Sequence, residues 1–464
     1  MMKRPLWCLV TASLTITAFV GLEANLGVGQ DKQQVASAQL NPTIVKIVAS
    51  ISADSLKSNL QTLVSFGTRN TFSDTVSAAT GIGAARRWIH RRFKSYSAAN
   101  ANRLKVYFDF FDQPLSGRAA EATGLQSIRT ANVVAVLPGT KTNRMLVVGG
   151  HYDSMNRNSF DGKVEAPGAN DDGSGTAVVM ELARVMSQFQ FEHTLAFIAF
   201  TGEEQGLWGS THFAKAAKER GDVIDAAITN DIVGNIYGGD GSVENNRLRC
   251  FSPDPMDSDS RQLARHIRKV AQRYVPEISV DLIFRLDRVG RGGDHRPFTE
   301  NSYAGVRFTE ANENFSRQHV IDDKIEFVSF DYMARVAKVN ATALASLALA
   351  PPKPEITRIQ RDRETYETVI TWLQPENIAD LSHFKVLARR TTEPDWTEVI
   401  PVGMGNAVKG ENGQNNREWR LRGRTIDEYV FGLAAIDQEG DESLAATFDW
   451  QAAMERLRQQ RSRN

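Results

Sequence analysis

Between residues 132 and 234, short stretches that are apolar at consecutive positions alternate with segments of helical period, and few architectures accommodate that pattern. The stretches are NVVAVLPG (132–139), RMLVVGGHYDS (144–154), TLAFIAFTGEE (194–204) and DAAITNDIVG (225–234), with helices predicted from Ser174 to Phe189 and from Gly209 to Lys218. A strand that is apolar on both sides must be covered on both sides. The predicted fold class is therefore α/β, a mixed, mainly parallel sheet flanked by helices on both faces. Upstream, residues 53–95 read as helical in two successive stretches, one carrying Leu60, Leu63 and Val64, the other Ala85, Trp88, Ile89 and Phe93.

After Pro351, Pro352 and Pro354 the period changes to alternation, in TYETVITWLQP (365–375), HFKVLARRT (383–391), DWTEVI (395–400), EWRLRG (418–423) and YVFGLAAIDQEGDES (429–443). Short, regularly spaced strands separated by turn residues predict a small all-β sandwich. The chain is thus expected to divide into an export leader (1–38), a main domain (39–348), a β-sandwich (352–450) and a basic tail (451–464) carrying Arg456, Arg458, Arg461 and Arg463.

The leader is read from Lys3 and Arg4 followed by an uncharged, largely apolar stretch from Pro5 to Leu22, with small residues suited to signal cleavage near Ala24 or at 36–38. That places the expected location outside the cytoplasm, secreted or periplasmic, with no stable membrane span after processing. Cys8 leaves with the leader and Cys250 then has no partner in the chain, so a core and not disulfides must stabilise the exported protein. Lys+Arg 55 balances Asp+Glu 55, which argues against a nucleic-acid or anionic-membrane coating role.

Polar residues stand at the ends of the predicted strands, where open α/β sheets bind ligands. Strand ends deliver His151 with Asp153, then Glu203 and Glu204, then Asp231; the loop APGANDDGSG (166–175) adds Asp171 and Asp172, and GRGGDHRPF (290–298) adds Asp294 and His295. Singly, each has an ordinary structural reading. Asp171 or Asp172 suits a helix cap, Glu203 and Glu204 a helix dipole, and the histidines a core or a loop. Together they form a nitrogen and oxygen donor set without thiolates, which suits zinc first, and manganese or cobalt after it, in an open catalytic site.

The segments HYDS, APGANDDGSG, GEEQGLWGS, the Asp of TNDIVG and GGDH resemble, in order and spacing, the co-catalytic zinc peptidases of family M28, over about residues 50–345. The resemblance implies two zinc ions bridged by Asp171, the Asp three positions before Ser174. One ion would add His151 and Asp231, and the other Glu204 and His295. Glu203 would act as general base and Asp153 would hold the far nitrogen of His151. It further implies hydrolysis of peptide or protein substrates, by aminopeptidase action in the first instance, with carboxypeptidase, glutaminyl cyclase and non-catalytic binding as the rival readings. RQHVIDD (317–323) resembles a family segment whose His, here His319, lies near the substrate pocket. GTRNT (67–71) resembles the family's N-terminal helix entry. RLDRVGRGGDH (285–295) departs from relatives that carry a cysteine pair before the Asp-His segment. The C-terminal segment resembles a fibronectin type III module, implying either a passive appendage or attachment to a surface or substrate.

Overall fold

In the computed structural model, residues 40–464 are described except 142–143, 254, 289, 374–379, 410–414, 451–452, 455–457 and 459–464. The predicted leader, Cys8 and all of the basic tail's arginines but Arg458 lie outside the described residues. The chain runs through α1 (Pro42–Ala49), α2 (Ala53–Ser65), α3 (Gly81–Ala99), β1 (Lys105–Pro114), α4 (Gly117–Thr123), β2 (Ser127–Leu137), β3 (Met145–His151), α5 (Gly173–Met186) and β4 (Thr194–Phe200). It continues with α6 (Trp208–Arg220), β5 (Ile224–Asn230), β6 (Arg247–Phe251), α7 (Asp259–Tyr274), β7 (Ser279–Ile283), α8 (His295–Glu300), β8 (Gly305–Glu310) and α9 (Phe330–Leu349). Beyond the prolines come β9 (Glu355–Arg361), β10 (Thr368–Leu373), β11 (Leu381–Arg390), β12 (Glu398–Gly403), β13 (Asn406–Lys409), β14 (Asn415–Leu421), β15 (Tyr429–Asp437) and β16 (Ala446–Thr447).

The first eight strands form one sheet in the order β1-β2-β4-β3-β5-β8-β6-β7. Its centre, β4-β3-β5-β8, is parallel, and antiparallel pairs β1-β2, β2-β4 and β6-β8 flank it. Successive side chains of β3 go to opposite faces. Leu146 and Val148 join the core beneath α2, α3, α5, α7 and α9, and Val147 joins Phe213 of α6 and Phe298 of α8 on the other face. The run 53–95 is broken by a loop at 66–80, because helix α3 cannot begin before Gly81, whose φ of 79° suits glycine alone. Strands β1, β6, β7 and β8 carry mixed patterns that the reading of the apolar runs passed over.

The chain leaves β3 for α5 and β4 on one side, then returns through α6 to β5 on the other. The sheet order therefore reverses between β3 and β5, which opens a crevice at their C-terminal ends. Helix α5 is driven hard into that crevice. A Cβ on Gly175 would lie 2.3 Å from the Asn230 carbonyl oxygen, and one on Gly150 would lie 2.7 Å from the Gly175 backbone.

The C-terminal strands form two four-stranded antiparallel sheets, β13-β14-β10-β9 and β12-β11-β15-β16. Between them Trp372, fully buried, meets Phe384 edge-on at 5.2 Å, with Ile370, Val386, Leu433 and Ala435 around it. This sandwich joins the α/β layer closely. Leu444 enters the main core, Thr447 Oγ1 donates to the Asp257 carbonyl at 2.7 Å, and Glu442 accepts from both Lys269 of α7 and Lys385 of β11.

Candidate metal centre

The crevice gathers the strand-end residues through backbone anchoring. His151 ends β3; its N–H donates to Asp172 Oδ2 at 2.9 Å, and its carbonyl accepts from Thr176 Oγ1 at 2.8 Å. The other oxygen of Asp172 caps α5 through the Gly175 N–H at 2.9 Å. Asp172 is thus the helix cap, and Asp171, joined to it through a cis peptide, faces the crevice. Asp153 accepts the N–H groups of Glu203 and Glu204, each at 3.3 Å, so the end of β3 sets the loop that follows β4. The nearest partner of His151 Nδ1 is the Asp153 backbone carbonyl at 3.1 Å; the Asp153 carboxylate stands farther off, at 3.7 Å.

Two groups of donor atoms result. In one, His151, Glu203 and Asp231 offer ligand atoms within 4.8 Å of one another; in the other, Asp171, Glu204 and His319 do so. Asp171 joins the groups. Its Oδ1 is 3.4 Å from His151 Nε2 and its Oδ2 is 3.0 Å from His319 Nε2. Asp231 Oδ1 lies 3.7 Å and Glu203 Oε2 4.0 Å from His151 Nε2, and Glu204 Oε2 is 3.2 Å from His319 Nε2.

The expectation for His295 is corrected by this geometry, since it belongs to neither group. His295 opens α8 fully buried, with Nε2 3.1 Å from the Leu286 carbonyl, and burial together with the Arg307 charge pushes its pKa down to about 4. Adjacent side chains diverge at the start of the helix, so Asp294 is sent toward the donors and His295 into the core. The place expected for His295 is filled by His319. The loop after β8 brings it in, held by Asp323, which accepts the N–H groups of Asn170 and Asp171 at 2.8 and 2.9 Å, and by the Arg157 N–H, which donates to the His319 carbonyl at 2.8 Å. A loop histidine has no periodicity to mark it, so RQHVIDD offered only its resemblance as a signal.

The charges in the crevice suit a cation. Burial alone would depress the pKa of His151, but Glu203, Asp171, Asp172 and Asp231 outweigh it and push the pKa well up. His319 behaves likewise: against burial, Asp171 and Glu204 raise it to about 11. Burial and the Asp171 charge lift Glu204 to about 7, and burial with Asp231, Glu204 and Asp294 lifts Glu203 well above its usual range. Glu204 Oε1 is buried with no hydrogen-bond partner. Imidazoles pulled toward protonation and an orphaned carboxylate oxygen show carboxylates in excess of the positive charge around them, as a divalent-metal site requires.

Two arginines complete the setting. Arg307 of β8, fully buried, pairs its charge with Asp231 Oδ2 at 2.9 Å and donates to Asp287 Oδ2 at 2.5 Å. Arg69, from the GTRNT segment, is equally buried and donates to the carbonyls of Tyr152, Pro167 and Gly168 at 2.8, 2.6 and 2.8 Å. It binds the loop before Asp171 to the end of β3. The sequence marks that segment only by its resemblance to a helix entry and does not mark Arg307, because an arginine within an apolar strand has no local partner.

A profile of "Peptidase family M28" matches residues 132–344. A "Probable zinc metalloprotease" of Pyrenophora tritici-repentis is 34% identical over 429 residues, covering 86% of this chain and 95% of that one. The chain belongs to peptidase family M28. A second relative, a "Probable zinc metalloprotease" of Leptosphaeria maculans, is 37% identical over 407 residues, covering 82% of this chain and 93% of its own. Among solved structures, LapB of Legionella pneumophila superposes with a TM-score of 0.54 at 21% identity, covering 66% of this chain and 75% of that one. The LapA aminopeptidase of the same organism gives 0.52 at 22%, covering 68% and 77%. Both share the fold. This M28 peptidase is a zinc metallopeptidase, and its donor groups are of the type zinc takes.

Proposed function

We propose that this M28 peptidase is an exported exopeptidase of aminopeptidase type that works with two zinc ions. The observation that carries the two-ion reading is Asp171, whose two oxygens each face a different histidine in a different donor group. His151, Asp171 and Asp231 would hold one ion, and Asp171, Glu204 and His319 the other. When bound, zinc polarises the scissile carbonyl and acidifies water enough for attack near neutral pH.

The chain's own residues supply the rest. Glu203 is left as the general base, its Oε2 4.0 Å from His151 Nε2 in the same crevice, to accept a proton from water and return it to the leaving amine. Asp153 positions that carboxylate by fixing the backbone at 203 and 204. Arg307 holds Asp231 in place, and it is itself occupied by Asp287 and the Gly292 carbonyl. The crevice is rich in carboxylates, and the guanidinium touching it is already engaged. A free α-ammonium complements such a site better than a C-terminal carboxylate does, and the LapA neighbour is an aminopeptidase.

The charged and then apolar opening of the chain supports export, and no described helix is long and apolar enough to cross a membrane. The Trp372-centred sandwich keeps the fibronectin type III reading as a proposal about its ancestry. Zinc analysis should return two equivalents, and one peptide series offered with free and acetylated N-termini should be cleaved only when the amine is free. Cleavage of the acetylated series from its C-terminus, cyclisation of an N-terminal Gln without hydrolysis, or one zinc per active chain would overturn the assignment. N-terminal sequencing of protein recovered outside the cytoplasm should begin near residue 24 or 38; an intact Met1 there would sink the export reading.

A further inference from the structure

Away from the crevice, a cavity of about 260 Å³ lies between α7 and the β-sandwich, lined by Gln262, Arg265, Arg268 and Lys269 on one side and Trp396 and Val399 on the other. Gln262 is 1% exposed. Its Oε1 accepts the Trp396 indole N–H at 3.2 Å. Indole donates and never accepts, so this bond fixes which end of the amide is oxygen. Gln262 Nε2 is left buried without a partner. A buried amide N–H without an acceptor is costly in a finished interface, and Gln262 is among the residues that line the cavity.

The surroundings state what would satisfy it. Arg268 pairs with Asp395, and Lys269 shares Glu442 with Lys385, while Arg265 donates to the Pro394 carbonyl at 2.9 Å and lies 5.8 Å from the Trp396 ring. Cationic side chains outnumber the carboxylates they face, so an arriving acceptor is favoured when it carries negative charge. Trp396, Val399, Leu387 and Ala445 supply an apolar wall. The volume falls just under the usual range for drug-sized ligands, so the occupant is small.

We propose that this interdomain cavity binds a small carboxylate with an apolar side chain, of the kind that peptide hydrolysis releases, with the carboxylate at Gln262 Nε2 and the side chain against Trp396. The site is separate from the metal centre and spans both layers of the molecule, so occupancy ties α7 to the sandwich. Nothing in this inference depends on the aminopeptidase reading.

The test uses zinc-loaded full-length enzyme and N-acetyl-L-leucine, which lacks the free amine of a substrate, with N-acetyl-L-leucinamide as the uncharged control. Calorimetric titration should show saturable binding near the millimolar range, about tenfold weaker for the amide. Gln262→Leu should weaken the acid by about tenfold. Val399→Glu, at a position 60% exposed and therefore safe for folding, should do the same by placing a negative charge on the wall. Peptide hydrolysis in the absence of added acid should be unchanged in both variants. Binding that is equal for acid and amide, binding indifferent to both substitutions, or no saturation up to about 10 mM would overturn the proposal.

Discussion

His295 and His319 show how much the direction of one side chain decides. Both stand in motifs that resemble family segments, and both follow a turn, yet the buried imidazole of His295 finds the Leu286 carbonyl while His319 meets two carboxylates. His319→Ala is expected to lower bound zinc from two equivalents toward one and to abolish most turnover. His295→Ala should lower thermal stability and leave the zinc content unchanged, both read by metal analysis of the dialysed protein beside a melting curve. Glu203→Gln keeps the shape of the base and removes its basicity. It should retain both zinc equivalents while kcat falls by about 10²–10⁴-fold with KM little altered. Loss of zinc from that variant would make Glu203 a ligand and not a base. The carboxylate pairs at 171–172 and 203–204 were legible in the sequence, since strand ends and a glycine-rich loop announce them. Which member of the 171–172 pair faces the metal follows here from Asp172 being consumed by the His151 and Gly175 amides.

Strands β3, β4 and β5 were evident because full burial on both faces leaves an unbroken apolar run. Strand β8 was not, for it carries Arg307, Thr309 and Glu310 into the interior, where their partners are distant in sequence. Arg307→Gln should leave the fold intact and weaken zinc binding by about 10–100-fold, measured by competition with a chelator of known affinity. An unchanged affinity would mean that Asp231 needs no orientation from β8. Helix α5 depends on contact between backbones more than on its own propensity. Gly175→Ala should cost about 1–3 kcal/mol in chemical denaturation, because the added methyl meets the Asn230 carbonyl and the Asp172 carboxylate. The shift of α5 that relieves the clash should also lower activity.

The α/β layer and the sandwich are joined by groups that no local pattern reveals. Glu442 lies between Lys269 and Lys385; burial opposes its charge, but the two ammonium groups prevail and hold its pKa down at about 2. A carboxyl depressed in the folded state contributes stability above its unfolded value near 4.3, and that contribution is lost as the pH falls toward the folded value. Glu442→Gln should therefore destabilise the protein by on the order of 1–3 kcal/mol at pH 7, and the difference from the parent should shrink between about pH 4.5 and pH 2. A difference constant across that window would show that the ion cluster does not join the two layers.

Period and composition in this chain were enough to specify the layered α/β architecture, the β-sandwich and a carboxylate-rich rim, because burial on both faces or on alternate residues is written directly into the order of side chains. They could not specify which histidine completes the second donor group, how Arg307 and Arg69 are used, or how the two layers meet. Those contacts join residues up to hundreds of positions apart, and each is settled by the path of a loop or the divergence of neighbouring side chains once the sheet has closed around its crevice.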